Sequence, residues 1–223
     1  MARPRVRDDA VRTRLLEVAS RVVADGGPTA LTVRDVAARA GTSASAVYDL
    51  FGDRSALLGA VGEEALRRFA AHLAAAPRTD DAERDLLALG LAYRASALDD
   101  PHFYRVMFDT AGLGARGAAA TGRVGPPAAG PATAPATSPA TDQPTFAVLA
   151  DAVARVLRAR GVADRAAAPA AVPAALALWG LVHGLVELEL AGLLPGDRDA
   201  HAERYAATLR AAGPALVADL SRP

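Results

Sequence analysis

The stretch TVRDVAARAGTSASAVYDLFGDRSALL, Thr32 to Leu58, constrains the fold more than any other part of the chain. A helical pattern is cut at Gly41 and resumes at once. Val36, Ala37 and Ala40 before the cut, and Val47 and Phe51 after it, fall where two short helices pack on each other and on a preceding helix. Thr32, with Asp35 three residues on, has the form of a helix start, and the helix it opens runs to Ala40. Gly41 supplies the reversal. Thr42 or Ser43 can cap the second short helix, which ends near Leu50 with Gly52 as its stop.

Two short helices joined through glycine form a helix-turn-helix, whose second helix enters the DNA major groove with its first residues at the base edges. Small side chains there, Thr42, Ser43, Ala44, Ser45 and Ala46, let the backbone come close to a duplex. Helix starts at Thr32 and Ser43 offer backbone N–H groups to phosphate oxygens, and Tyr48 and Arg54 stand where they can add to that grip. Periodicity alone equally allows an ordinary helical hairpin, with Gly41 a plain helix stop and Tyr48 a half-buried aromatic.

The rest of the chain repeats the helical period. A first helix is expected from about Asp9 to Asp25, carried by Leu15, Leu16, Ala19, Val22 and Val23 and stopped by Gly26-Gly27-Pro28. After the short pair, Asp53 can cap a longer helix to about Ala75, and further helices are expected over 81–98, 101–110, 146–160, 170–191 and 199–221. Pro169 and Pro173 then lie near a helix start, and Gly213-Pro214 should kink or break the last helix. No strand alternation of useful length occurs, so the expected class is all-α: a three-helix N-terminal helix-turn-helix domain, 1–54, and a larger helical domain, 55–223. Residues 111–143 are nearly all Ala, Gly, Pro, Thr and Ser and read as a disordered insertion, because they hold too little apolar surface to offset ordering.

Composition narrows the function classes. With 52% hydrophobic and 22% charged residues the chain can build a core and is not a bilayer protein; the most apolar run, 174–191, carries His183, Glu187 and Glu189 and reads as a buried helix. No secretory signal is visible at the start, which points to the cytoplasm and no membrane partner. Net charge is zero, yet Arg3, Arg5, Arg7, Arg12, Arg14 and Arg21 make the front locally basic, and the first three can form an arm on DNA or a solvated tail. His72, His102, His183 and His201 are scattered, cysteine is absent, and no phosphate loop or nucleophile elbow occurs, so the chain is expected to be no enzyme and to use no metal or cofactor.

Residues 9 to 58, in LLEVASRVVADGGPTALTVRDVAARAGTSASAVYDLFGDRSALL and its flanks, resemble the DNA-binding domain of the tetracycline-repressor (TetR) family of bacterial regulators. The resemblance rests on the glycine before the second helix, the Thr-Val-Arg-Asp-Val-Ala run, Ala40-Gly41, Ser43, and Tyr48 with Phe51. It implies a homodimer on a pseudo-palindromic double-stranded operator, with Thr42, Ser43, Ser45, Ala46, Tyr48 and Asp49 facing the major groove and Thr32, Tyr48 and Arg54 on phosphates. Three positions depart from the family pattern: Arg54 replaces a usual lysine, Leu50 a common aromatic or histidine, and Asp49 a frequent basic or polar residue. The acid at 49 either accepts from a cytosine amine or repels the backbone.

The segments DPHFYRVMFDTAG and WGLVHGLVELELAG resemble one subgroup of that family's C-terminal domains, named for a Trp-His-Gly motif, here Trp179, His183 and Gly184. Trp179, His183 and Glu187, four residues apart, share a helix face. On one reading they orient a small-molecule effector against an apolar wall of Tyr93, Phe103, Tyr104, Met107, Phe108 and Trp179. On the other, His183 and Glu187 bond each other or nearby backbone within a core or dimer seam. Gly180 and Gly184 allow close helix packing, and the family pairs its last two helices across the dimer. The resulting expectation is a ligand-responsive transcriptional regulator, most simply a repressor. The alternative is an all-α binding or scaffold protein that has lost its DNA affinity.

Overall fold

The short helices form where the hydroxyl and glycine signals place them. In the computed structural model, which describes residues 3–108, 141 and 143–220, every regular element among the described residues is helical. α1 (Arg3–Gly26) is followed by a 3-10 turn at Pro28–Ala30, then α2 (Val33–Arg39), α3 (Ala44–Phe51) and α4 (Arg54–Ala74). α5 (Ala82–Asp99), α6 (101–108), α7 (Pro144–Ala159), α8 (Asp164–Leu190) and α9 (Arg198–Leu220) complete the order. Apart from Thr141 and Gln143, the insertion expected over 111–143 lies outside the described residues.

The chain divides into two compact units. The first holds α1 to α3, α4 as far as Arg68, and α6; the second holds the end of α4, α5 and α7 to α9. The first unit thus takes in more chain than a boundary at 54 anticipates. Its core joins Leu15, Ala19 and Val23 of α1, Val36 of α2, Val47 of α3 and Leu57 and Val61 of α4. Phe103 and Val106 of α6 complete it, which is why that helix belongs with the head. Arg68 ties three helices together there: it reaches Asp100 at 2.9 Å, Glu64 at 2.7 Å and Glu17 at 3.7 Å, and lies over the Phe103 ring. The Glu64 carboxyl is held below its usual range by hydrogen bonds from Arg67 and Arg68, against some burial.

In the second unit, Val153, Val156 and Leu157 of α7 meet Ala167, Ala171, Ala174 and Ala175 of α8. The small alanines bring the helices close. Asp85, 3% exposed, accepts from the Thr79 N–H and hydroxyl and from Arg155, tying the loop before α5 to α7. Burial pulls its carboxyl upward, but those donors outweigh it and the net shift is downward. Arg94 of α5 and Glu189 of α8 form a bidentate pair at 2.6 and 2.7 Å, both largely buried, with His201 of α9 3.6 Å from the same carboxylate. Tyr205 donates to the Gly90 carbonyl at 2.8 Å, and burial pushes its phenol well above the ordinary value. A Cβ on Gly90 would stand 2.7 Å from Leu209, so α5 and α9 touch through a glycine.

Several boundaries depart from expectation. α1 begins at Arg3, so the backbone carrying Arg3, Arg5 and Arg7 is helical and not a loose arm. α8 begins at Asp164, six residues early, and both Pro169 and Pro173 lie inside it. Each proline removes one helical hydrogen bond, a loss of about 3 kcal/mol that packing of the alanine face offsets. α9 likewise runs through Pro214 without interruption. α8 is not buried on every side, since Leu176 and Leu188 are exposed. By length and composition α8 could also cross a membrane; seven of its residues, among them Leu178, Val182 and Val186, are instead buried in the fold.

Candidate functional site

The turn between α2 and α3 is built from backbone hydrogen bonds that require Gly41. The Gly41 N–H bonds the Ala38 carbonyl and the Thr42 N–H bonds the Ala37 carbonyl, closing α2 with Gly41 in the left-handed region at φ +67°. Of the two candidate caps it is Ser43 that starts α3, its hydroxyl accepting from the Ala46 N–H at 3.1 Å. Thr32 does the same for α2, accepting from Asp35 at 3.2 Å, and Asp53 for α4, accepting from Ala56 at 2.7 Å. α3 ends at Gly52, whose φ of +88° and ψ of −63° turn the chain into α4.

This frame buries one side of α3 and presents the other. Val47 packs into the core, Leu50 and Phe51 lie against it, and Ser43, Ser45, Tyr48 and Asp49 are exposed. Tyr48 is 52% exposed, high for an aromatic residue. Thr42 and Ala46 are half-buried at the flanks of that face, and Thr32 is exposed at the start of α2. Of the DNA-facing residues expected from sequence, Ser43, Ser45, Tyr48 and Asp49 are thus exposed on α3 or at its start, and Thr32 at the start of α2.

Two head arginines also serve the fold. Arg54 donates Nε to the Leu31 carbonyl at 2.7 Å and Nη2 to the Pro28 carbonyl, which leaves Nη1 for other partners. Arg12 donates to the Leu50 carbonyl at 3.4 Å and lies over the Phe51 ring, fastening α1 to the end of α3. Neither role is readable from spacing, since the partners are distant carbonyls.

The expected effector residues are divided between the units. Tyr93, Trp179, His183 and Glu187 are in the second; Phe103, Tyr104, Met107 and Phe108 are in the first, where Phe103 is core, Met107 packs against it and the Tyr104 ring meets that of Phe108 at a tilt of 57°. In the second unit Tyr93 and His183 share a hydrogen bond of 3.1 Å between hydroxyl and Nδ1. Trp179 lies 6.2 Å from the imidazole and 6.5 Å from Phe146, and Phe69 meets Tyr93 edge-on at 5.3 Å. Burial lowers the His183 pKa, with Glu187 pulling the other way, so the imidazole is neutral near pH 7. Glu187 itself is exposed. Gly180 and Gly184 are exposed too, and a Cβ on either would meet nothing within 4 Å among the described residues, so their missing side chains serve no contact there. Gly90 and Arg94, which do join helices, were missed by sequence reasoning; a glycine inside a helical run was the available signal for the first.

Among the described residues no three His, Cys, Asp or Glu side chains gather as metal ligands would. Two family models match the chain: "Bacterial regulatory proteins, tetR family" over residues 15–61 and "Tetracyclin repressor-like, C-terminal domain" over 86–211. No curated protein matches significantly. Solved structures share the fold across nearly the whole chain. A Rhodococcus sp. RHA1 protein of unknown function is 24% identical at a TM-score of 0.63, covering 95% of this chain and 96% of its own. The TetR family regulator PfmR of Thermus thermophilus is 17% identical at 0.59, covering 94% and 100%. A TetR family regulator of Marinobacter aquaeolei VT8 is 20% identical at 0.58, covering 90% and 94%.

Proposed function

The chain belongs to the bacterial tetR family of transcription regulators, and from that membership we propose that it is a cytoplasmic, ligand-responsive repressor acting as a homodimer on a pseudo-palindromic operator. One observation carries this reading: α3 turns Ser45, Tyr48 and Asp49 outward, and all three are exposed among the described residues. In the proposed complex Ser43, Ser45, Tyr48 and Asp49 meet base edges, with Thr42 and Ala46 beside them. Thr32, Tyr48 and the unspent Nη1 of Arg54 hold phosphates.

The effector reading rests on Tyr93, Trp179 and His183, where aromatic faces adjoin a neutral imidazole already paired with a phenol. A ligand seated there would favour dimer geometries whose recognition helices no longer match successive grooves, and operator affinity falls by that difference in binding energy. The open Gly180 and Gly184 face of α8, flanked by Leu176 and Leu188, supports pairing with a second copy.

The test is a mobility shift on DNA flanking the protein's own gene. Wild type should retard it in a salt-dependent way, and Tyr48→Ala should weaken binding about tenfold or more with an unchanged melting temperature. Absence of a shift, or full affinity in the variant, would overturn the proposal.

A further inference from the structure

From Gly41 to Gly52 the reading helix and its approach contain no Arg, Lys, His, Asn or Gln, the side chains that make most base contacts. The one ionised group on its outer face is an acid. Asp49 lies one turn beyond Ser45 on the same side of α3, is exposed, and makes no ion pair or side-chain hydrogen bond among the described residues. No arginine is paired with it among the described residues: Arg12 reaches the Leu50 carbonyl and the Phe51 ring, Arg54 directs Nε and Nη2 to the Leu31 and Pro28 carbonyls, and Arg39 pairs with Asp35 at 2.9 Å.

An unneutralised carboxylate brought against a polyanion weakens binding unless it accepts hydrogen bonds there. The major groove offers two amine donors, cytosine N4 and adenine N6. The adenine amine stands between two acceptors, its own N7 and thymine O4, and both repel a carboxylate. The cytosine amine has an acceptor, guanine O6, on one side only, and the C5–H edge on the other. Resting on the reading of this chain as an operator-binding regulator, we propose that Asp49 is a specificity-determining residue that selects a cytosine in each half-site. The acid thus rejects sites in place of adding affinity: where no amine faces it, its charge repels the duplex.

Selection from a randomised duplex pool by the full-length wild type, Asp49→Asn and Asp49→Ala tests this. Wild type should return a pseudo-palindrome with one cytosine column per half-site preferred by about tenfold. Asp49→Asn should move that column to adenine, since an amide can pair with N6 and N7 together, and Asp49→Ala should level it, the other columns staying as they are. Identical motifs from all three chains, or a wild-type motif without that cytosine, would overturn the role of Asp49 while leaving the regulator intact. A wild-type chain that enriches no sequence would overturn the regulator reading and Asp49's role with it.

Discussion

At the scale of single residues, the side chains with the clearest sequence signal are those that act on their own neighbours. Thr32, Ser43 and Asp53 cap helices three residues downstream, a local act that spacing reveals. Arg54 shows the opposite case. Its charge suggests phosphate, but two of its nitrogens are bound to carbonyls of Leu31 and Pro28, more than twenty positions earlier, and only the folded chain brings them there. Arg54→Ala should therefore destabilise the first unit by about 1 to 3 kcal/mol, the worth of charge-assisted hydrogen bonds. A lower urea midpoint at unchanged slope would show it, and loss of DNA binding with an unmoved midpoint would assign the residue to phosphate alone.

At the scale of elements, stop signals were legible where they act through backbone conformation and misleading where they act through a missing donor. Gly41 and Gly52 end their helices as expected because both hold positive φ, at +67° and +88°. Pro169, Pro173 and Pro214 do not end theirs, since burial along α8 and α9 outweighs one lost bond each. The two glycines rank differently under substitution. A Cβ at either meets open space, so only backbone strain counts. Gly41 is near the left-handed helical region, where alanine costs about 1 to 2 kcal/mol. Gly52, with ψ at −63°, is far from any basin open to other residues. Gly52→Ala should thus lower the melting temperature more than Gly41→Ala, and the reverse order would refute the strain argument.

At the scale of the whole molecule, the sequence disclosed the class and the helix-turn-helix, but not where the units divide. The period of 101–108 marks a helix without saying which core it joins; Phe103 and Val106 enter the first. Four of the six residues of the expected effector wall, Phe103, Tyr104, Met107 and Phe108, consequently belong to the first unit. Assembly is the other property single-chain periodicity leaves open. Gly184, with nothing within 4 Å of its Cβ position among the described residues, can accept a large side chain without disturbing their packing. Gly184→Trp should keep the helical circular dichroism signal yet sediment as a monomer where wild type sediments as a dimer; a dimeric variant would place the seam elsewhere. The central claim, two outward-facing α3 helices reading one operator, is met most directly by hydroxyl-radical footprinting on genomic DNA captured by the wild-type protein. The account predicts two protected patches about 10 base pairs, or a multiple, apart and related by a pseudo-dyad. A single asymmetric patch, or none, would contradict it.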